Sequence, residues 1–222
     1  FRIFSDMRQR EKVLVTVLAA LFLVSLGHFL YGRIPVRTEK GVFAEGMVGR
    51  IKNINPLFVD FNDVDRDLSE LVFSGLIRYD PVAKNFFPDV AEKLEPSRDG
   101  LTYTATIRND VYWHDGERLT SDDVYFTFHD VIKDPGFRNP ILRNSFESIR
   151  IEKTGTSTII FTLPKPNSYF PSQLTTGILP RHLLINAAIA SLDKNPFGQH
   201  PIGSGPYRLN TLQLGSDSDY AD

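Results

Sequence analysis

The residues with the most evident chemical potential are clustered at Trp113-His114-Asp115-Gly116-Glu117, where an imidazole stands beside carboxylates. Such a pairing could serve acid/base chemistry or metal ligation. The spacing argues against both, because adjacent side chains of an extended segment point to opposite faces and no H-x-x-x-H pair accompanies them. Asp115-Gly116 reads instead as a turn. The five histidines (His28, His114, His129, His182 and His200) show no metal-ligand spacing. Asp122 and Asp123 are the carboxylate pair a hydrolase would need, yet they fall where a helix cap needs them, three residues or fewer after Thr120. Gly203-Ser204-Gly205 lacks the third glycine and the Lys-Ser/Thr of nucleotide loops, and it is too short for a nucleophile elbow. Its flanking prolines, Pro201 and Pro206, make it a stiff turn that brings backbone close to either a ligand or a packed neighbour. The reading is of a binding protein and not an enzyme, with no catalytic residue, no metal site and no cofactor.

The elements that must carry these residues divide at the start of the chain. Of 222 residues, 25 are Lys or Arg, 27 are Asp or Glu and none is Cys. Residues 1 to 40 carry seven basic and three acidic side chains, which leaves 18 and 24 for the rest. An acidic body is a poor nucleic-acid binder. Without cysteine there is no disulfide scaffold, no thiolate metal site and no lipidated-cysteine anchor.

The basic segment encloses Val13 to Tyr31, a 19-residue run free of Asp, Glu, Lys and Arg. As a helix it would extend roughly 28 Å, about the thickness of a bilayer's hydrocarbon core. The exit Leu30-Tyr31-Gly32-Arg33 lacks an A-x-A cleavage site, so the expectation is an uncleaved transmembrane anchor at 13–31. A cytoplasmic N-terminus at 1–12 is weakly favoured by Arg8, Arg10 and Lys12, and a linker is expected at 32–41. His28 lies close enough to the end of the run to reach the interface.

The body reads as α+β. A strand is expected over Gly41 to Ile51, then a helix from Asp63 with Leu68, Leu71, Val72 and Leu76 on one face. Leu76 to Tyr79 and the alternating Leu101 to Arg108 read as strands, the latter introduced by the turn Asp99-Gly100. Thr120 with Asp123 forms a capping box ahead of Val124, Phe126, Phe128 and Val131. Ile149 to Ile151 and Thr158 to Leu163 make a second hairpin, a short helix lies within Ile178 to Ile189, and a strand is expected at Tyr207 to Leu212.

The order of segments closely resembles the extracytoplasmic solute-binding proteins of family 5, the peptide, dipeptide and nickel receptors of ABC importers. The resemblance is carried by Gly75 to Asp80 (GLIRYD), Phe87 to Glu95 (FPDVAEKLE), Asp99 to Thr104 (DGLTYT), Ile107 to Glu117 (IRNDVYWHDGE) and Leu119 to Val124 (LTSDDV). Ile54 to Leu57 (INPL) precedes these, and Gly177 to His182 (GILPRH) and Pro201 to Tyr207 (PIGSGPY) follow. It implies an α/β, type II periplasmic-binding-protein clamp in which two lobes close over the ligand, with 42–222 as the first lobe and its small subdomain. Members of the family are usually more than twice as long, so the second lobe is expected to be missing. The WHDGE segment is implied to lie away from the ligand.

The resemblance further implies an extracytoplasmic, membrane-held protein that captures a peptide or other small solute and works with ABC permease subunits. Ligand-facing positions are expected at Ile54, Asn55, Pro56 and Leu57, at Thr175, Thr176 and Gly177, and at Gly203, Ser204, Gly205 and Tyr207. A tethered receptor or structural lobe without a transport role is the alternative.

Overall fold

A computed structural model describes residues 8–31, 45–59 and 62–212, with the backbone alone at 11 and 27–31. The chain forms two compact units, Phe1–Gly46 and Met47–Asp222.

The first unit contains one 23-residue helix, α1 (Gln9–Tyr31). Its apolar side chains between Val13 and Leu26 are exposed, on every side of the helix. The run expected to cross a membrane is therefore helical, but among the described residues no helix is long and apolar enough to do so. The linker expected at 32–41 lies outside the described residues.

The second unit is built around a four-stranded antiparallel sheet. After α2 (Asp63–Val72), β1 (Ile77–Asp80) and β2 (Asn85–Pro88) form a separate hairpin, with Tyr79 packed on Phe86 at 5.3 Å between ring centroids. The main sheet comprises β3 (Ala91–Pro96), β4 (Thr102–Ile107), β5 (Arg150–Thr154) and β6 (Thr158–Thr162), in the order β3-β4-β6-β5. Tyr103, Ala105 and Ile107 of β4 and Ile159 and Phe161 of β6 are buried, while Thr104, Thr106 and Ile160 between them are only partly covered. This is the period-two alternation of a sheet with one face on the core.

The buried face is covered by α3 (Ser121–Tyr125), α4 (Pro140–Phe146) and α5 (Phe170–Gln173). Phe128, Phe146, Phe161 and Phe170 are all fully buried and form a continuous aromatic cluster, Phe161 meeting Phe128 edge-on at 5.7 Å and Phe170 at 5.6 Å. Edge-to-face contacts suit the ring quadrupoles, and each adds about 1 kcal/mol to the area buried.

The capping box of α3 forms as expected: Thr120 Oγ1 accepts from Asp122 N at 3.2 Å, and Thr120 N donates to Asp123 Oδ2 at 2.9 Å. The helix then widens into a π turn over Phe126–Val131. Within it, Thr127 Oγ1 donates to Asp123 O and accepts from Leu179 N, at 2.8 and 2.9 Å. A hydroxyl inserted between the helix and a neighbouring segment is the physical setting in which a wider turn is tolerated.

Two expected strands do not form among the described residues. Glu45 to Ile51 forms no strand, and 41–44 lie outside the described residues. Tyr207 to Leu212 is irregular as well, because Tyr207 N is committed to Leu71 O at 3.0 Å, at the end of a helix. The acidic cluster at the start of α2 also does more than match a helix dipole. Asp65 is buried and accepts from Lys52 N at 2.8 Å, Asn53 N at 3.1 Å and Asn62 Nδ2 at 2.9 Å, tying the incoming loop to the helix. Beyond these, α6 (Arg181–Leu184) and two 3-10 turns, Ile189–Lys194 and Pro196–Gly198, close the unit.

Candidate functional site

The three loops expected to face a ligand converge on one short segment, Leu71 to Gly75, where α2 ends and the chain enters β1. The last carbonyls of any helix lack partners within it. Here Leu71 O accepts from Tyr207 N at 3.0 Å and Val72 O from Gly205 N at 2.8 Å. The loop after Pro201 is thus the cap of α2. Both glycines are required by proximity: a Cβ on Gly203 would stand 1.9 Å from Val72 O, and one on Gly205 2.7 Å from Leu71 O. The backbone of this loop is close to a packed neighbour, which decides that open alternative for its two glycines.

The other two loops join the same segment. Ile178 N donates to Ser74 O at 3.0 Å, and a Cβ on Gly177 would lie 2.7 Å from Pro56 and 2.9 Å from Phe73. Gly75 is pressed against the Thr175 carbonyl, with 2.6 Å to a hypothetical Cβ. In the first loop, Ile54, Asn55 and Leu57 are wholly or almost wholly buried, and only Pro56 is partly accessible. Asn55 Oδ1 accepts from Leu57 N at 3.1 Å, Asn139 Nδ2 donates to Leu57 O at 3.0 Å, and Ile54 N donates to Gly198 O at 2.8 Å. Thr175, Thr176 and Ser204 are partly accessible and Tyr207 is exposed.

Two polar atoms in these loops stand out. Asn55 Nδ2 and Ser204 Oγ are buried and find no hydrogen-bond partner among the described residues. An unpartnered buried donor costs about 1–3 kcal/mol, so such atoms are kept for a reason. Ser204 lines a cleft of about 310 Å³ together with Ser74, Asp89, Arg108, Asp110 and Tyr112. Burial pushes the Asp89 carboxyl above its ordinary pKa, against the opposing effects of the Ser74 hydrogen bond and the nearby Arg78 and Arg108. Arg108 is held by Asp110 through two bonds of 2.9 Å. Sequence reasoning did not find this cleft; its one available signal was the charged run Arg108-Asn109-Asp110 directly after a strand.

The segment at 113–117 is a turn, with Gly116 N donating to Trp113 O at 2.9 Å. His114 and Asp115 do point apart. His114 reaches the Gly203–Gly205 loop, while Asp115 Oδ2 meets His182 Nε2 at 2.8 Å. His182 is brought there by α6, whose first amide, Arg181 N, donates to Asp123 Oδ1 at 2.9 Å. Asp123 accepts from the main-chain amides of Thr120 and Arg181, as a cap requires, with the Thr120 hydroxyl at 3.4 Å and the Trp113 and His182 side chains nearby. The turn therefore touches one of the expected ligand loops directly, a closeness that motif order alone did not imply. Among the described residues, no group of three or more His, Cys, Asp or Glu side chains could hold a metal ion.

A mixed α/β lobe with several loops gathered at one helix end has the form of a solute-binding protein lobe. The family model for bacterial extracellular solute-binding proteins, family 5 Middle, matches residues 85–220, and the chain belongs to that family. The oligopeptide-binding protein AppA of Bacillus subtilis is 33% identical over 183 residues, covering 80% of this chain and 33% of AppA. The structure of B. subtilis AppA in complex with a nonapeptide superposes with a TM-score of 0.68 at 30% identity, over 79% of this chain and 36% of that one. NikZ from Campylobacter jejuni, solved in complex with Ni(L-His), gives a TM-score of 0.64 at 36% identity, over 77% of this chain and 32% of NikZ. The chain thus spans about a third of the length of the relatives it matches.

Proposed function

We propose that this chain supplies the first lobe of an extracytoplasmic receptor that captures peptides for an ABC importer. The observation that carries the reading is the family match, joined to 33% identity with an oligopeptide-binding protein over four-fifths of the chain. An extended peptide is held largely through main-chain hydrogen bonds, with wet and roomy side-chain pockets, and such a site needs no reactive group.

Within the lobe, we assign ligand contact to the accessible members of the three loops: Pro56, Thr175, Thr176, Ser204 and Tyr207. Ile54, Asn55, Leu57, Gly177, Gly203 and Gly205 support them from below, through the burial and close approaches described above. The helix α1 is proposed as the device that holds the receptor at the membrane, because its apolar side chains are exposed on all sides. ABC permease subunits are the proposed docking partners.

The test uses the natural protein containing this lobe, titrated with short peptides of mixed sequence. A ligand present at a hundred times its Kd should add about 2.7 kcal/mol of stability, read as a rise in melting temperature. No stabilisation by a broad peptide set, together with stabilisation by nickel chelates or sugars, would move the solute class. No stabilisation by any of these would overturn the binding role.

A further inference from the structure

We propose that His114 is a positioning residue for the Gly203–Gly205 loop, a clip that the neutral ring closes and a proton opens. Gly203 N lies 3.3 Å from His114 Nδ1, and Gly205 O lies 2.9 Å from His114 Nε2. A backbone N–H can only donate and a carbonyl can only accept, so Nδ1 must be the acceptor and Nε2 must carry the hydrogen. Of the three protonation states of imidazole, only this one satisfies both bonds. The other neutral tautomer loses both.

The cation loses one and keeps the other. A hydrogen on Nδ1 points at the hydrogen of Gly203 N, while Nε2–H to Gly205 O persists as a charge-assisted bond. Gly203 is buried, so its amide has no water to turn to. The two ends of the loop then respond differently. Gly205 stays held through its own N–H on Val72 O at 2.8 Å, whereas the Gly203 end keeps only its carbonyl, which accepts from His114 N at 2.8 Å. Ser204 sits between them and lines the cleft with Asp89 and Arg108, so a proton on His114 re-aims its hydroxyl.

Charged groups of both signs lie around the turn and the loop. Arg208, beyond the loop, donates to His114 O at 3.4 Å; Asp115 and Glu117 belong to the same turn; His182 on α6 is occupied by Asp115. Across Ser204 stand Asp89, Arg108 and Asp110.

The experiment is ¹⁵N NMR on the full chain in mild detergent, across pH 8 to 5. At pH 8 the ring nitrogens of His114 should report the Nε2–H tautomer. As the His114 signals titrate, Gly203 amide protection, corrected for intrinsic exchange, should fall roughly tenfold, and that of Gly205 should change little. His114→Gln, which offers a donor and an acceptor without titrating, should keep Gly203 protected throughout, and His114→Ala should leave it exposed throughout. An Nδ1–H tautomer at pH 8, Gly203 protection that stays flat while the ring titrates, or the same pH profile in His114→Gln would each overturn the proposal. Should the variants fail to fold, the tautomer and the wild-type pH series decide it alone.

Discussion

The carboxylate of Asp123 joins two segments 58 residues apart, accepting from Thr120 N with one oxygen and from Arg181 N with the other, both at 2.9 Å. One oxygen caps α3 and the second fixes the first residue of α6, which brings His182 to Asp115. Asp123→Ala should therefore cost about 3 kcal/mol, a lost cap added to a stranded amide. Urea unfolding should show the drop in midpoint, with Asp123→Asn falling between wild type and Ala because it retains one acceptor oxygen.

The same pair of helices predicts an acid limb. Burial opposes ionisation of the Asp115 carboxyl, but the His182 hydrogen bond and the Glu117 amide outweigh that and hold its pKa below the ordinary aspartate value. A carboxylate with a depressed folded pKa stabilises the fold above the unfolded value, and that contribution is lost as pH falls through the folded one. With respect to this group, the melting-temperature gap between wild type and Asp115→Asn should be constant well above the ordinary aspartate pKa, and should shrink progressively as pH falls below it. Asp123 acts in the opposite sense: burial raises its pKa, so its ionised form carries a penalty that protonation relieves.

Gly203→Ala tests the cap of α2. With only 1.9 Å between the added methyl and Val72 O, loop or helix must move, and a loss of about 3 kcal/mol is expected. Hydrogen exchange at Gly205 and Tyr207 should accelerate together, since both amides bond to the end of α2. Normal exchange at both positions would show that the loop is held elsewhere.

Phe161→Ala removes the ring at the centre of the aromatic cluster, in contact with both Phe128 and Phe170. A loss of about 4 kcal/mol is expected, enough to threaten folding at 37 °C. Phe161→Leu should recover more than half of it, as measured by the same denaturant titration.

Much of the scaffold was legible because local chemistry dictates it. Thr120 with Asp123, the turn at Asp99-Gly100, and the alternation from Tyr103 to Ile107 all specify their structure within a few residues. Strands β2 and β3 were missed because Asn85 to Pro88 and Ala91 to Pro96 are mostly exposed and carry charges or proline, leaving little periodicity to read. Tyr207 to Leu212 has strand-like composition but spends its first amide on a helix end. The gathering of the candidate loops was visible as motif order alone. The physical cause, the helix-end carbonyls of Leu71 and Val72 accepting from the amides of Tyr207 and Gly205 more than 130 residues later, depends on contacts that no local pattern encodes.

The bond from Ile54 N to Gly198 O has a bearing on the order of synthesis. The sheet β3-β4-β6-β5 and its aromatic cover lie between Ala91 and Gln173, and they can assemble while later residues are still being made. Ile54 and its loop must wait for Gly198, and the end of α2 must wait for Gly205. The edge that presents Ser204 and Tyr207 therefore rests on contacts that become available only after the sheet and its aromatic cover have been made.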